Sequence, residues 1–540
     1  MPTESHYSLE SSKKGPVTLK YKHKYLHSKY DPIKEGIKLA SSLPIEGKKN
    51  IIIFGLALGY HITPLLDRDQ MINVIVIESS VEVPGCLKKC HRLSLLKDVK
   101  LFFGDLSQLN NWFFQNIEEE YSDSILLFDY IPSLGIDPDY YKKAKTIVND
   151  VFKYKLQSYL TTLGFGRRWH ENCLKNLKLY SRFSVLDNKS TLPVFLVGSG
   201  PSLDDQIMKL PELSNRGIVI ALAPGYHRLV EEGVRVHFLV STDGGIANRI
   251  HLSQNGPRDE ATILISTLSV TPRILRLWDG NILIMNLELP LEDYLLDDIP
   301  GIPMQGNVAL AAFWIAQRIS SGPIYLLGMD FAFTRGAYHF KGNRMEDILT
   351  FSGDKVRPYD TRFYDIISRF KRVAVPGHNG TEIKTNLAMQ SYLSWLEEAI
   401  SETSQSVYTL SHLGARINGV EYRSLDGLLQ NLPSVEKDWD SHTLIKSLSK
   451  EAHKRLTIKL NDLLNHYLQM EENLEKELMN DKSSLEELIH EMSDSKIRDI
   501  VKLSLSRMLR KSQLKTLSAD DYEDIKMSLQ RTQRLIQSNL

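Results

Sequence analysis

Cysteine is scarce in this sequence: Cys86, Cys90 and Cys173 are the three among 540 residues. Three thiols cannot build a disulfide framework, and no paired histidines stand at zinc-motif spacing beside them. A reducing, cytoplasmic setting is the expectation. An excess of either charge is lacking too. Lys+Arg 66 balance Asp+Glu 66, for a formal net charge of zero and a sequence pI near 7.3. That balance argues against a general nucleic-acid binder, which needs a basic surplus to neutralise phosphates. No apolar run approaches the ~20 residues of a membrane span, and the polar start MPTESHYSLESSKKG shows no secretory leader. Glycine and proline are missing from the end of the chain, the last being Gly427 and Pro433. Beyond them, 33 of the final 100 residues are charged, 17 basic and 16 acidic, with Leu and Ile recurring every three or four positions. This is the pattern of solvated helices packed as a bundle or hairpin.

What is present describes an ordinary globular chain, with 42% hydrophobic and 24% charged residues. Its length suits three or four domains at the usual ~100–200 residues each. Pro16–Tyr30 alternates apolar and polar side chains like a hairpin edge. Asn50–Phe54, the Gly turn GLALGYH, and Val74–Ile77 read as a βαβ-like unit, with LFFGD and SILLFDY as further strands. Tyr140–Tyr180 is helical and Lys-rich, a connector. From Pro193 follow the runs PVFLVG, GIVIALA, RVHFLVSTD, ATILIST, NILIMNL and PIYLLGMD, with helical segments between most of them. Continuous Val/Ile/Leu strands alternating with helices predict a doubly wound, mostly parallel sheet covered on both faces. The expected organisation is α/β: residues 1–180 a smaller Rossmann-like N-terminal domain with its connector, 181–430 the central domain, and 431–540 a C-terminal helical domain.

Ligands of doubly wound sheets bind beyond the carboxyl ends of the strands, so the residues there are the candidates. The first central strand runs into Gly198, Ser199, Gly200, Pro201 and Ser202. Two glycines permit a tight turn and a close backbone approach, and the helix start behind them offers N–H groups to an anion. The loop lacks the third glycine of the dinucleotide fingerprint and the Lys of a Walker loop. A plain turn capped by Ser202 or Asp204 is the other reading. Thr242 and Asp243 end the third strand, either as site residues or as a helix cap. Gly306-Asn307 precedes another helix. Asp330 ends the sixth strand, and the loop FAFTRGAYHFKGN after it carries Arg335, His339 and Lys341. Together these clusters predict a phosphate-bearing, nucleotide-like ligand. In the N-terminal unit, Gly55–Tyr60 with Glu78 follows the layout of a nucleotide or S-adenosylmethionine site, where a carboxylate ~20 residues on holds a ribose. Ala57 replaces the middle glycine, which favours a structural role. His61 is read either as a helix-surface residue or as a ligand.

VFLVGSGPSLDD, LVSTDGG, GNVALAAFWIAQRI and PIYLLGMDFAFTRGAYHFKG also look like the motility-associated factor (Maf) glycosyltransferases. The core of that family resembles the 6-hydroxymethylpterin diphosphokinase MptE-like enzymes. LHSKYDP (Leu26–Pro32), FGLALGYH (Phe54–His61), Gly377–Glu397 and Ser411–Gly419 extend the resemblance in order from about residue 20 to 425. It implies a Rossmann-like, sialyltransferase-like central domain in a cytoplasmic transferase. Such an enzyme would move a pseudaminic or legionaminic acid-type nonulosonic acid from its CMP-sugar to Ser or Thr of flagellin, for flagellar assembly and motility. Gly198, Ser199, Gly200, Pro201 and Ser202 would hold the nucleotide, as the similar loop does in bacterial sialyltransferases, with Thr242, Asn307 and Arg335 completing the nucleotide-sugar site. His339 would be the base, with Asp243 and Asp330 as further catalytic residues and direct displacement inverting the sugar. Met329 stands where the family more often carries Gln. No metal site and no cofactor beyond the CMP-sugar are expected, with magnesium admissible. Two alternatives stand beside this: pyrophosphoryl transfer to a pterin with ATP and magnesium held by Asp243 and Asp330, and a non-enzymatic flagellin-interaction protein.

Overall fold

A computed structural model describes residues 6–48, 50–68, 72–117, 125–252, 256, 258–303, 307–343, 368, 372–435, 439–478, 485, 489, 492–512 and 519–540. Two units emerge, residues 1–162 and 163–540, each with its own apolar core. The predicted connector is one long helix, Pro138–Asn176, that runs through the boundary.

In the first unit, β1 (Tyr7–Ser11), β2 (Val17–Tyr21) and β3 (Lys24–Tyr25) form a small antiparallel sheet, as the alternating pattern predicts. β4 (Asn50–Phe54), β5 (Asn73–Glu78), β6 (Lys100–Phe103) and β7 (Ile125–Asp129) form a parallel sheet in the order β6-β5-β4-β7. Every residue of β4 is buried, which explains its unbroken apolar run.

The second unit is built on one sheet of ten strands. In chain order these are β8 (Phe183–Leu186), β9 (Val194–Val197), β10 (Ile218–Leu222), β11 (Phe238–Val240), β12 (Ile263–Ser266), β13 (Ile282–Ile284) and β14 (Ile324–Leu327). A separate hairpin, β15 (Arg372–Pro376) and β16 (Glu382–Asn386), follows. β17 (Val407–Thr409), β18 (Glu421–Tyr422) and β19 (Ile445–Ser447) then return to the large sheet. The order is β18-β17-β14-β9-β10-β11-β12-β13-β8-β19, parallel except for β19. All six apolar runs from Pro193 onward are strands of it. The sheet also takes in β19 from the stretch expected to be wholly helical, because β8 would otherwise present an open edge.

Strand order reverses at β9: β10 to β13 lie on one side, β14 and β17 on the other. The helix Val308–Ile319 packs over β9 and β10, eight of its twelve residues buried, so it is apolar nearly all round. At the end of the chain, the helix Lys450–Leu478 buries Ala452, Leu456, Leu460, Leu463, Tyr467, Met470 and Leu474, a stripe at three- and four-residue spacing. That stripe packs along the helix Ala519–Gln537. Tyr294 Oη to Asp462 (2.6 Å) and Lys459 Nζ to the Tyr294 carbonyl (2.7 Å) tie the same helix to the segment after β13.

Among the described residues five histidines are buried: His27 and His61 in the first unit, His170, His227 and His237 in the second. Burial holds His27 well below the ordinary imidazole value and pushes His61, His170 and His237 down to about 3. A depressed folded-state pKa means the folded protein refuses protons that the unfolded chain accepts. The stability these groups supply is therefore complete above pH ~6.5 and lost as pH falls toward their folded values, at about 1.4 kcal/mol per pH unit for each. The buried carboxyls Glu292 and Asp330, raised by burial, act in the opposite direction but are fewer. Urea unfolding midpoints should hold steady above pH 7 and fall steeply between pH 6 and 4. A flat profile across that range would contradict the burial of neutral imidazoles.

Candidate functional site

The carboxyl ends of β9 and β14, adjacent strands at the order reversal, form the crevice where a doubly wound sheet places its ligand. The two loops there touch backbone to backbone. Gly200 N–H donates to the Gly328 carbonyl (2.7 Å), and a Cβ on Gly200 would come within 2.4 Å of Asp330 Oδ1. No side chain fits between them, which is why the Gly198–Ser202 turn needs its second glycine.

Asp330 lies on the far side of this contact and is buried. Its Oδ2 accepts from Ser202 N–H (2.9 Å) and its Oδ1 from the Ser202 hydroxyl. Burial raises the carboxyl above its ordinary value, and the Ser202 bonds offset part of that rise. The Asp330 carbonyl accepts from Ala415 N–H (2.8 Å), and Gly414, with φ of +88°, passes so close that a Cβ would meet Asp330 Cα at 2.8 Å. His378 N–H in turn donates to the Gly414 carbonyl (3.2 Å). The segments Gly377–Glu397 and Ser411–Gly419 thus converge on the strand end that carries Asp330. With Ser202 spent on Asp330, Gly198 on Leu327, Gly200 on Gly328 and Leu203 on Gly200, the Ser199 N–H is the turn's one uncommitted backbone donor among the described residues.

The loop after Asp330 folds back over this turn. Arg335, with φ of +54°, makes a two-pronged pair with Asp205 (2.8 Å on both arms), and Lys341 N–H donates to Asp204 Oδ1 (3.0 Å). Phe340, fully buried, donates its N–H to the Ser199 carbonyl (3.1 Å). His339 is half-buried, with Nδ1 3.2 Å from the same carbonyl. A carbonyl can only accept, so Nδ1 carries the proton and Nε2 keeps its lone pair. Burial lowers the imidazole to about 4, with the Ser199 bond opposing, so it is neutral near pH 7. The side chain is set up as a proton acceptor above the Gly turn.

His251, which sequence inspection passed over, belongs to the same cluster. It is half-buried, its Nδ1 has no hydrogen-bond partner among the described residues, and its electrostatic neighbours include Asp243 and His339. Burial lowers its pKa and Asp243 opposes that shift. Asp243 is exposed, with Oδ1 accepting from Gly245 N–H (2.7 Å), and Thr242 beside it is buried. Nothing in the local sequence around His251 marks it; only the turn after β11 brings it toward the crevice. Asn172 holds that turn by donating to the carbonyls of Gly244 (3.2 Å) and Ser269 (3.0 Å).

Other candidates stand apart. Asn307 accepts from Ala309 N–H (2.8 Å), a helix cap, while Gly306 lies outside the described residues. The positive charge of Arg335 is matched by Asp205. A polar cleft of about 610 Å³ between Lys189, Gln317, Gln405 and Tyr408 opens at the amino ends of β14 and β17, the wrong end of the sheet for a doubly wound site.

In the first unit the Gly turn is filled by the protein itself. Glu78 Oε2 accepts from Leu56 N–H (2.8 Å) and Ala57 N–H (3.3 Å), and Oε1 accepts from Tyr141 Oη (3.0 Å). His27 Nε2 accepts from Leu58 N–H (2.8 Å). The carboxylate that would hold a ribose instead occupies the turn's own amides, which supports the structural reading. His61 is neither a surface residue nor, in this packing, a ligand: it is 1% exposed and stacked on Tyr130 at 4.4 Å. The helix start it occupies faces the core. Glu78→Ala would strand these buried donors, each costing ~1–3 kcal/mol. Chemical denaturation should show a loss of several kcal/mol, whereas a near-neutral change would mean that the turn is held otherwise.

Residues 1–83 match the glycosyltransferase Maf N-terminal domain, and residues 167–336 match the family described as 6-hydroxymethylpterin diphosphokinase MptE-like. None of the curated proteins matches the sequence. Among solved structures, a Maf glycosyltransferase from Magnetospirillum magneticum AMB-1 is similar with a TM-score of 0.63 at 15% identity, over 100% of this chain and 92% of that one. The fold is therefore shared along the whole chain despite low identity.

Proposed function

We propose that this chain, a Maf-family glycosyltransferase by its N-terminal domain and MptE-like core, moves a nonulosonic acid from a CMP-sugar to Ser or Thr of flagellin. The observation that carries the reading is His339: a neutral imidazole, oriented by the Ser199 carbonyl, above the Gly turn at the order reversal. A CMP-sugar already carries a good leaving group, so the enzyme's work is to take the acceptor hydroxyl's proton and steady the departing phosphate. Nε2 of His339 suits the first task. The Ser199 N–H suits the second, as a preorganised donor in the crevice. Attack by the hydroxyl on the face opposite CMP gives inversion.

His251 and Asp243 extend the cluster on the β11 side, where they could bind donor or acceptor polar groups. Asp330 acts as a positioning residue, fixing the turn through Ser202. The cytoplasm is the compartment in which CMP-sugar and unassembled flagellin would meet, and among the described residues no helix is long and apolar enough to cross a membrane. Magnesium is not needed by this scheme.

The MptE-like match favours one second reading, pyrophosphoryl transfer to a pterin with ATP and magnesium. It would need Asp330 to release Ser202 and turn outward. A thermal-shift panel of CMP, ATP and pterin, with intact-mass analysis of flagellin incubated with protein and CMP-sugar, tests both. Stabilisation by CMP and one sugar mass per modified site are expected. Stabilisation by ATP and pterin alone, with unmodified flagellin, would overturn the proposal.

A further inference from the structure

In the crevice Arg335 is matched by Asp205, which leaves the exposed Lys341 as the other cation of its loop. A denser cluster of cations lies elsewhere among the described residues of the second unit. A cleft of about 650 Å³ opens between the late turns of the helix Pro138–Asn176, the short helix Ser506–Ser512 and the β11 turn at Gly244. Four cations line it, Arg167, Arg168, Lys175 and Arg507, against one carboxylate, Glu171.

Glu171 does not cancel them. Its carboxylate is shared by Arg167 (3.1 Å), Lys175 (2.9 Å) and Arg531 (2.7 Å). Burial works against its ionisation, but these three cations hold it below its ordinary value, so it stays charged and pins them in place. Arg168 and Arg507 are both exposed and face no carboxylate among the described residues. The walls are fixed: Arg167 N–H donates to the Ser506 hydroxyl (3.0 Å), and a Cβ on Gly166 would meet Leu503 at 2.7 Å. The walls are thus locked at close range, and the surplus charge sits on Arg168 and Arg507 at their exposed rim. In a chain of zero net charge, such a surplus is a local feature. The volume is that of a small-molecule site, in the usual range of ~300–1,000 Å³.

We propose that this cleft binds a small anionic ligand through a phosphate or carboxylate group held by Arg168 and Arg507. This does not rest on the transfer reaction above. Two sources share that chemistry: the phosphate or carboxylate of a sugar nucleotide reaching from the crevice past Gly244, and a separate small anion.

Calorimetric titration of the full-length protein with inorganic pyrophosphate, and separately with CMP, tests it, using the R168A/R507A double variant. The wild type should bind pyrophosphate, and the double variant should bind it at least about tenfold more weakly, as loss of charge-assisted hydrogen bonds requires. If CMP competes with pyrophosphate and weakens in parallel, the nucleotide is the source. If CMP binding is unchanged, the anion is separate. Either result supports the site. No pyrophosphate binding by the wild type, or equal affinity in the double variant, overturns it. Both arginines are exposed, so the variant should keep the wild-type melting temperature, and R168K, which keeps the charge, should restore part of the lost affinity.

Discussion

His339→Ala should lower turnover by about 10²–10⁴-fold, the usual contribution of a positioned proton acceptor, while leaving nucleotide affinity nearly unchanged. The imidazole touches the Gly turn only through the Ser199 carbonyl, and Phe340 N–H still holds that carbonyl in its absence. The pH profile gives an independent readout. With the imidazole lowered to about 4 by burial, kcat should persist well below pH 6.5 and fall only as pH approaches about 4. A wild-type enzyme that lost activity through pH 6.5 would point to a solvated base instead. Turnover unchanged in the alanine variant would remove His339 from the chemistry and leave His251 as the cluster's remaining imidazole.

Asp330→Ala should both destabilise the second unit and abolish activity. Removing the carboxylate strands the Ser202 N–H and hydroxyl in a buried place, at a cost of roughly 2–4 kcal/mol. It also frees the Gly198–Ser202 turn from its anchor. Asp330→Asn separates positioning from chemistry. An amide oxygen still accepts from the Ser202 N–H, and its NH₂ can donate to the Ser202 oxygen, so the turn should stay in place. Near-wild-type stability with activity within about tenfold is expected of a positioning residue. An asparagine variant that is stable but as inactive as the alanine one would show that the carboxylate itself takes part in the reaction. Denaturant unfolding and steady-state rates on the same three proteins decide between them.

β4, β5 and β9 to β14 were legible because buried parallel strands must be apolar along their whole length, and that leaves unbroken Val/Ile/Leu runs; β8 and β15 to β19, short or at the sheet's edges, were not read. The Gly198–Ser202 turn was legible for a similar reason: close backbone approach excludes side chains, so glycine marks it. Roles were harder to read. Ser202 reads as a phosphate ligand or a helix cap, yet it bonds Asp330, 128 residues later. Asn307 reads as a ligand and caps a helix. Glu78 reads as a ribose ligand and closes its own turn. In each case a polar side chain near a helix start has two satisfactory partners, and local sequence does not say which is closer.

Composition and periodicity alone thus determined the α/β class, the central parallel sheet, the helical end and the strand-end loops where chemistry would lie. Those follow from which residues can be buried and at what repeat. Tertiary structure decided what each polar group does. The cationic cleft joins Arg167 to Ser506, 339 residues apart, in a chain whose summed charge is zero. His251 reaches the cluster through the β11 turn, and β19 closes a sheet edge from within the helical end. Hydrogen bonds and charges act over a few ångströms, so their partners are set by how the chain folds back on itself and not by neighbours along it.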